Sequence, residues 1–250
     1  MRYRVGSVPY INAAPLTRWL ETDAGAPYAE VVYAPPSQLA QQLQAGALDV
    51  ALVSSVEHFR RPDTRFVPGL AIASEREVLS VRLFSRVPIR QIRTVALDTS
   101  SLTSAALTRI LLSRAYGVQA DYLPAEPNLD MMLARADAAL LIGDLGMTAR
   151  HNAVHKILDL GAAWRDWTGL PFVWALWLMN ADAPADSISA LLHESYQWGK
   201  AHLSTIIPAE AQRTGIPLPL CQRYLREVMV YAIDERFLQG LERFRTEVEV

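Results

Sequence analysis

Short apolar runs alternate with helical patterns through the first part of the chain. The first three runs each have the length of a buried strand, and they cover residues 3–8, 30–33 and 49–53. The clearest helical pattern between them covers residues 39–44, with Ser37 as a favourable N-cap and Gly46 at its end. Strands that alternate with helices in this order predict a parallel sheet with helices on its faces.

A second series of the same kind follows two extended segments, residues 66–73 and 77–85. In this series three strand-like runs again alternate with helical patterns. The runs cover residues 94–97, 119–123 and 138–142, and the helical patterns cover residues 105–116 and 129–135. A last strand-like run at residues 172–179 precedes a tail that is mostly helical by pattern.

Two such series joined by extended segments predict an α/β protein with two lobes. The first lobe is expected to comprise residues 1–87 and 171–250, and the second residues 88–170. The chain would cross between the lobes twice and leave a ligand cleft between them. Ligands of such sheets bind beyond the carboxyl ends of the strands, so the residues that follow each strand are the candidates for a binding site.

Composition and charge exclude several classes of protein. Apolar residues make up 51% of the 250 residues, which is enough for a sizeable core. The net charge of −2 lacks the basic excess of a nucleic-acid-binding protein, so no nucleic acid partner is expected. The single cysteine, Cys221, excludes an intramolecular disulfide, and the histidines show no metal-ligand spacing.

Targeting and cofactor motifs are missing from the pattern as well. No apolar run approaches the roughly 20 residues of a membrane-spanning helix, and the N-terminus does not resemble a secretory signal. We therefore expect a cytoplasmic protein without a membrane partner. The glycine-rich dinucleotide and phosphate motifs and the GxSxG nucleophile motif are also absent.

Polar residues follow four of the predicted strands. They are Tyr10 and Asn12, then Ser54 and Ser55, then Thr103 and Ser104 in a hydroxyl-rich turn over residues 98–104, and finally Asp144. Where such a turn begins a helix, its free backbone N–H groups favour an anion. The pattern predicts a site for a small anion such as a carboxylate. Local roles remain open, because Ser, Thr and Asp are common helix N-caps and Asn is a common turn residue.

Several segments resemble the chorismate dehydratases of the futalosine route to menaquinone. The more specific ones are GSVPYINAAPL at residues 6–16, called here the opening motif, and TGLPF at residues 168–172. Further similarities cover residues 49–57, 80–85, 99–107 and 139–144, together with Trp164, and those in the hydroxyl turns are weaker. The resemblance extends from residue 3 to about residue 179, and the tail is similar only in its helical character. A sister family, the 1,4-dihydroxy-6-naphthoate synthases, has a Ser-Pro-Cys-Pro-Asn motif that this chain lacks.

The resemblance implies a fold and an activity. The fold is that of type-2 periplasmic binding proteins, with a ligand cleft between two lobes and a helical C-terminal tail. The activity is a lyase reaction without a cofactor, in which chorismate, a dicarboxylate, loses water and becomes 3-[(1-carboxyvinyl)oxy]benzoate. The alternative from another class is a non-catalytic solute-binding protein or a sensor for a small carboxylate.

The resemblance also implies roles for the candidate residues. Asn12 is the expected active-site residue, and it would orient the substrate because an amide has no useful pKa for proton transfer. The proton acceptor is unassigned, with Asp144 as one candidate and a carboxylate of the substrate itself as another. The substrate-binding set comprises Tyr10, Ser54, Ser55, Ser80, Thr103 and Ser104.

Overall fold

The computed structural model describes residues 2–98, 100 and 102–249, and its strands lie in two separate sheets. Thr99 and Ser101 of the predicted hydroxyl-rich turn lie outside these residues. The strands are β1 Tyr3–Ser7, β2 Ala29–Tyr33, β3 Val50–Ser54, β4 Thr64–Ser74, β5 Arg82–Ser85, β6 Thr94–Asp98, β7 Asp121–Ala125, β8 Ala138–Leu141, β9 Lys156–Asp159, β10 Phe172–Asn180 and β11 Met229–Ala232.

Helices connect the strands and form most of the tail. They are α1 Ala14–Thr17, α2 Pro36–Gln44, α3 Val56–Arg60, α4 Leu102–Ile110, α5 Leu129–Arg135, α6 Gly143–Thr148, α7 Leu160–Thr168, α8 Ala185–Ala201, α9 Leu203–Thr214, α10 Leu218–Arg223 and α11 Glu235–Glu249. Short 3₁₀ turns flank α1 at Ile11–Ala13 and Arg18–Glu21, and π-helical turns follow α4 and α10 at Leu111–Ala115 and Tyr224–Val228. No helix in the described ranges is long and apolar enough to cross a membrane.

The first sheet has the strand order β11-β4-β10-β3-β1-β2. Strand β1 pairs in parallel with β2 and β3, and β10 joins antiparallel to β3. All five residues of β3 are buried, as expected for a central strand with both faces covered. The first predicted βα series is therefore confirmed, with β2, β1 and β3 parallel to one another and β10 returning antiparallel to β3.

The second sheet has the strand order β7-β6-β8-β5-β9. Strand β6 is parallel to β7 and β8, and β5 is antiparallel to β8 and β9. Helix α5 contributes Leu129, Met132 and Leu133 to a hydrophobic cluster with Phe84 and Leu141 of the sheet. The second predicted series is thus confirmed, with β9 as a strand that the pattern of apolar residues did not predict.

The chain divides into two compact units at positions that differ from the predicted lobes. The first unit comprises residues 1–72 and 174–234, and the second comprises residues 73–173 and 235–250. Strand β5 belongs to the second unit because it pairs with β8 and β9. Helix α11 belongs there too, since it packs against α4.

Two local expectations also differ from the structure. Helix α2 begins at Pro36 with Pro35 as its N-cap, so Ser37 lies inside the helix and is not the cap. Proline is favoured in the first helical turn because its missing N–H would have no partner there. The tail contains β11, whose four residues are too few to interrupt a helical pattern visibly.

Candidate functional site

In the first unit, the predicted residues follow two neighbouring parallel strands. The register pairs Gly6 of β1 with Ala51 of β3, so the carboxyl ends of both strands lie at one edge of the sheet. Tyr10 and Asn12 follow β1, while Ser54 ends β3 and Ser55 follows it. Both serines are buried, and the Ser55 backbone N–H donates to the Trp174 carbonyl at 3.1 Å. The structure therefore brings these four residues to one edge.

Asn12 lies in the 3₁₀ turn Ile11–Ala13, half-buried. Its Nδ2 donates to the hydroxyl of Tyr224 at 3.2 Å. Its Oδ1 is buried and has no hydrogen-bond partner among the described residues. A buried amide oxygen is normally hydrogen-bonded, so an unpaired one is a candidate acceptor for a ligand. The carboxamide is thus held on its nitrogen side, and its oxygen has no partner among the described residues.

The opening motif is held in place by close packing with α8. Pro15 lies near the start of α1, where a missing N–H costs nothing. A Cβ at Gly199 of α8 would lie 1.9 Å from the Pro15 carbonyl oxygen, so only glycine allows this approach. The Ser195 hydroxyl, one turn earlier on α8, donates to the Leu16 carbonyl at 2.7 Å. Helix α8 therefore fixes the turn that carries Asn12.

A second anchor of the opening motif is a charged cluster around Glu210 of α9. Glu210 is buried, and its two carboxylate oxygens accept from Arg18 Nε at 2.7 Å and from Arg213 Nε at 2.8 Å. Arg213 Nη2 also donates to the Pro9 carbonyl at 3.1 Å. The cluster joins α9 to the segment immediately before Tyr10.

A cavity of about 210 Å³ adjoins this cluster within the first unit. Its polar lining comes from Tyr10, Thr17, Arg18, Tyr33 and Arg213. Burial raises the pKa of the Tyr33 hydroxyl to about 12; Glu21 adds to the shift, and Thr17 and Arg18 oppose it. Tyr33 therefore stays protonated near neutral pH and can donate a hydrogen bond.

In the second unit, four predicted residues lie near strand ends at one edge of the second sheet. Strands β6 and β8 are parallel, with Leu97 opposite Leu140, so the segments that follow them share an edge. Thr103 and Ser104 follow β6, and Asp144 follows β8. Arg82 of antiparallel β5 pairs with Leu141, which brings Ser80 to the same edge.

Gly146 allows α6, the helix that carries Asp144, to pack closely against Ser80. A Cβ at Gly146 would lie 2.2 Å from the Ser80 carbonyl oxygen, so α6 packs directly on the backbone at Ser80. Ser80 is 2% exposed and Asp144 is half-buried. The N-cap of α6 is Ile142, so Asp144 lies in the first turn and is not the cap.

The backbone before Ser80 is strained and held by Asp159. Leu79 has φ of +61°, which is rare for a residue with a branched side chain. The Val78 and Leu79 N–H groups donate to Asp159 Oδ1 and Oδ2 at 3.0 and 2.8 Å. Asp159 also caps α7 through the Gly161 and Ala162 N–H groups. Strain of this kind persists only where surrounding contacts impose it, and it concentrates at functional sites.

Asp98 ends β6 and bonds to Ser100 of the segment predicted as a hydroxyl-rich turn. This carboxyl is 2% exposed, and its Oδ1 accepts from the Ser100 N–H at 2.8 Å and the Ser100 hydroxyl at 2.6 Å. Burial raises the pKa of Asp98; the bonds from Ser100 oppose the shift and Glu126 adds to it. Thr103 and Ser104 are buried inside the first turn of α4, which begins at Leu102, so neither is its N-cap.

The two serines at the end of β3 have defined local positions. Ser54 is the last residue of β3, and Ser55 is the N-cap of α3. Ser55 makes no side-chain capping bond within the described residues. Sequence reasoning missed Tyr224, Asp159 and Glu210. Of these, only Asp159 had a local signal, because an Asp before a helix is a common N-cap.

Comparisons with known proteins place the chain in a family. A family model described as menaquinone biosynthesis matches residues 3–249. A chorismate dehydratase of Thermus thermophilus is 31% identical over 261 residues, with 97% of this chain and 93% of that protein covered. Another chorismate dehydratase, from Campylobacter jejuni, is 29% identical over 177 residues, with 68% of this chain and 64% of that protein covered.

A solved structure is similar in fold. A Candida albicans gene product with the generic periplasmic binding protein fold gives a TM-score of 0.72 at 11% identity, with 100% of this chain and 90% of that chain covered. At this identity the likeness establishes the fold alone. The α/β fold with two sheets and a helical C-terminal segment is thus periplasmic-binding-protein-like, as the resemblance implied.

Proposed function

Because the chain belongs to the menaquinone biosynthesis family, we propose that it is a chorismate dehydratase of the futalosine route. It converts chorismate to 3-[(1-carboxyvinyl)oxy]benzoate and water, as a cytoplasmic hydro-lyase that uses no cofactor. The observation that carries the proposal is the similarity to the Thermus thermophilus chorismate dehydratase over nearly the whole of both chains.

The reaction requires the protein to orient the substrate and to allow one proton transfer. The substrate ring loses its hydroxyl group and a proton from a ring carbon, and the ring becomes aromatic. The C–O bond breaks, the C–H electron pair enters the ring, and the proton and the hydroxyl leave as water. Aromatisation makes the step strongly downhill, so the protein has to bind a dianion and align its leaving group.

Asn12 fits the orienting role. The buried Oδ1 of Asn12 accepts a hydrogen bond from the ring hydroxyl, which is a donor that matches an unpaired amide oxygen. The amide cannot accept the proton, so the acceptor is Asp144 or a carboxylate of the substrate. Substitution of Asp144 by Asn separates the two, because only an Asp144 acceptor would be lost.

The remaining residues bind the two carboxylates. The candidate donors are the hydroxyl groups of Tyr10, Ser54, Ser55, Ser80, Thr103 and Ser104. Neutral donors suit a dianion, and backbone N–H groups in the first turn of α4 add to them. The strained turn before Ser80 supports its assignment, since strain is maintained where an exact geometry is used.

The test is incubation of the purified protein with chorismate, followed by ultraviolet absorption and identification of the product. We expect conversion to the benzoate by the native chain. The Asn12→Ala variant, purified in the same way, is the control for contaminating activity. It should lose turnover on the order of a hundredfold or more, the scale for lost positioning in an active site.

Two outcomes would contradict the proposal. Tight binding of chorismate without conversion would make the chain a receptor, the role of many proteins with this fold. Equal turnover by the native chain and Asn12→Ala, in two folded proteins with the same melting temperature, would remove Asn12 from the mechanism.

A further inference from the structure

The Asn12 side chain can present either of two chemically different ends to a ligand. The amide oxygen accepts hydrogen bonds and the amide nitrogen donates them. The terminal torsion of asparagine is broad and roughly two-fold. The local backbone therefore does not determine whether the amide oxygen or the amide nitrogen faces a given neighbour. The neighbouring groups decide it, and here the nitrogen faces the Tyr224 hydroxyl at 3.2 Å.

Tyr224 is a firmly held partner. It has no exposed surface, and it begins the π-helical turn Tyr224–Val228 directly after α10. This turn packs against α9, the helix of Glu210. A fully buried ring in this position cannot follow a moving Asn12 side chain, so the hydroxyl is a fixed point for the amide.

A second buried tyrosine lies close by and offers a comparison. Tyr231 of β11 is also buried, and its ring centroid is 5.9 Å from that of Tyr196. Burial raises the pKa of Tyr231 well above its usual value, and Tyr224 and Tyr196 add to the shift. Its hydroxyl has no hydrogen-bond partner among the described residues. Two neighbouring tyrosines thus share an environment, and Tyr224 is the one bonded to Asn12.

We infer that Tyr224 is a positioning residue for the dehydration, an inference that rests on the proposed function. Its hydroxyl accepts from Asn12 Nδ2 and so turns Oδ1 toward the ring hydroxyl of chorismate. The residue acts through Asn12 and does not itself contact the reacting atoms. Tyr224 lies in the C-terminal tail of the chain, which thereby contributes to turnover.

The experiment compares Tyr224→Phe with Tyr231→Phe. Each variant removes one buried hydroxyl and keeps the ring, so packing changes little. Values of kcat and KM for chorismate, together with the melting temperature, are measured for both variants, for Asn12→Ala and for the Asn12→Ala/Tyr224→Phe double variant. Tyr224→Phe should lower kcat about 10- to 100-fold, with KM changed less than threefold. Tyr231→Phe should keep kcat within twofold of the native value.

The double variant separates positioning from a structural role. If Tyr224 acts through Asn12, its substitution adds less than a twofold loss once Asn12 is alanine. An equal loss in both backgrounds, a native kcat in Tyr224→Phe, or the same loss in Tyr231→Phe would each overturn the inference. Absence of chorismate turnover in the native chain would instead overturn the proposed function, and the inference with it.

Discussion

Substitution of Glu210 by Gln tests whether the charged cluster on α9 holds the opening motif. The change keeps the shape of the side chain and removes its charge. Glu210 has a 3% exposed side chain, and each of its two oxygens accepts from one arginine. After the substitution, Arg18 and Arg213 face a neutral amide. The amide nitrogen is a donor, so it cannot accept a hydrogen bond from the arginine that it faces.

The expected cost in folding free energy lies between two limits. Loss of one partner from a fully buried ion pair costs about 3–5 kcal/mol, and exposed pairs contribute about 0–1 kcal/mol. The surviving side chains are 28% exposed for Arg18 and 43% exposed for Arg213, so solvent screens part of the uncompensated charge. Arg18 also keeps Glu21 as a partner. We therefore expect a loss of about 2 kcal/mol.

Urea unfolding at neutral pH measures this loss, with Glu242→Gln as the matched control. Glu242 pairs with Arg245 at 3.0 Å, but both side chains are about half exposed or more. The control should lose less than about 0.5 kcal/mol. Two units can unfold in separate transitions, in which case only the transition of the first unit should move.

Activity provides the second readout for Glu210→Gln. Arg213 also donates to the Pro9 carbonyl, so a displaced guanidinium should disturb the segment that leads to Asn12 and lower kcat/KM about tenfold. A free-energy loss no larger than that of Glu242→Gln would refute the reasoning on stability. Native kcat/KM in a destabilised variant would show that the cluster supports the fold without positioning the motif.

Two further predictions concern the second unit. Ser104→Ala should raise KM for chorismate about 5- to 10-fold with kcat within threefold, because the contact is equal in the ground and transition states; an unchanged KM with a lower melting temperature would contradict this. Asp137 is partly buried, which raises its pKa, but bonds from the Arg93 and Thr94 N–H groups outweigh burial and lower it overall. Because the pKa of Asp137 is lower in the folded state, its carboxylate stabilises the fold at pH values above the unfolded-state pKa, which is near 3.9. This stabilisation is lost as the pH falls through the folded-state pKa. Asp137→Asn should therefore cost about 1 kcal/mol at pH 7, measured by urea unfolding, and the difference should shrink below about pH 4; a cost that is independent of pH would contradict this.

Both sheets could be predicted from the sequence because their signals are local. Apolar runs such as those that became β3 and β8 are short, continuous and bounded by turns, and these features act between near neighbours in the chain. The candidate residues at the strand ends follow from the same logic, since parallel strands bring their carboxyl ends to one edge. Strand β9 failed this test because its residues Lys-Ile-Leu-Asp are at most partly buried and form no continuous apolar run. Strand β11 lies among the helical patterns of the tail.

Tertiary structure decided what each candidate side chain contacts. Asn12 is 212 residues from Tyr224, and Arg18 is 192 residues from Glu210, so no spacing or period links them. The strained backbone at Leu79 likewise depends on Asp159, 80 residues away. Residue types and strand order therefore identified only the candidate residues for the site. The orientation of the Asn12 amide arises only when distant helices pack together, because buried hydrogen bonds are satisfied by whichever groups the fold brings within reach.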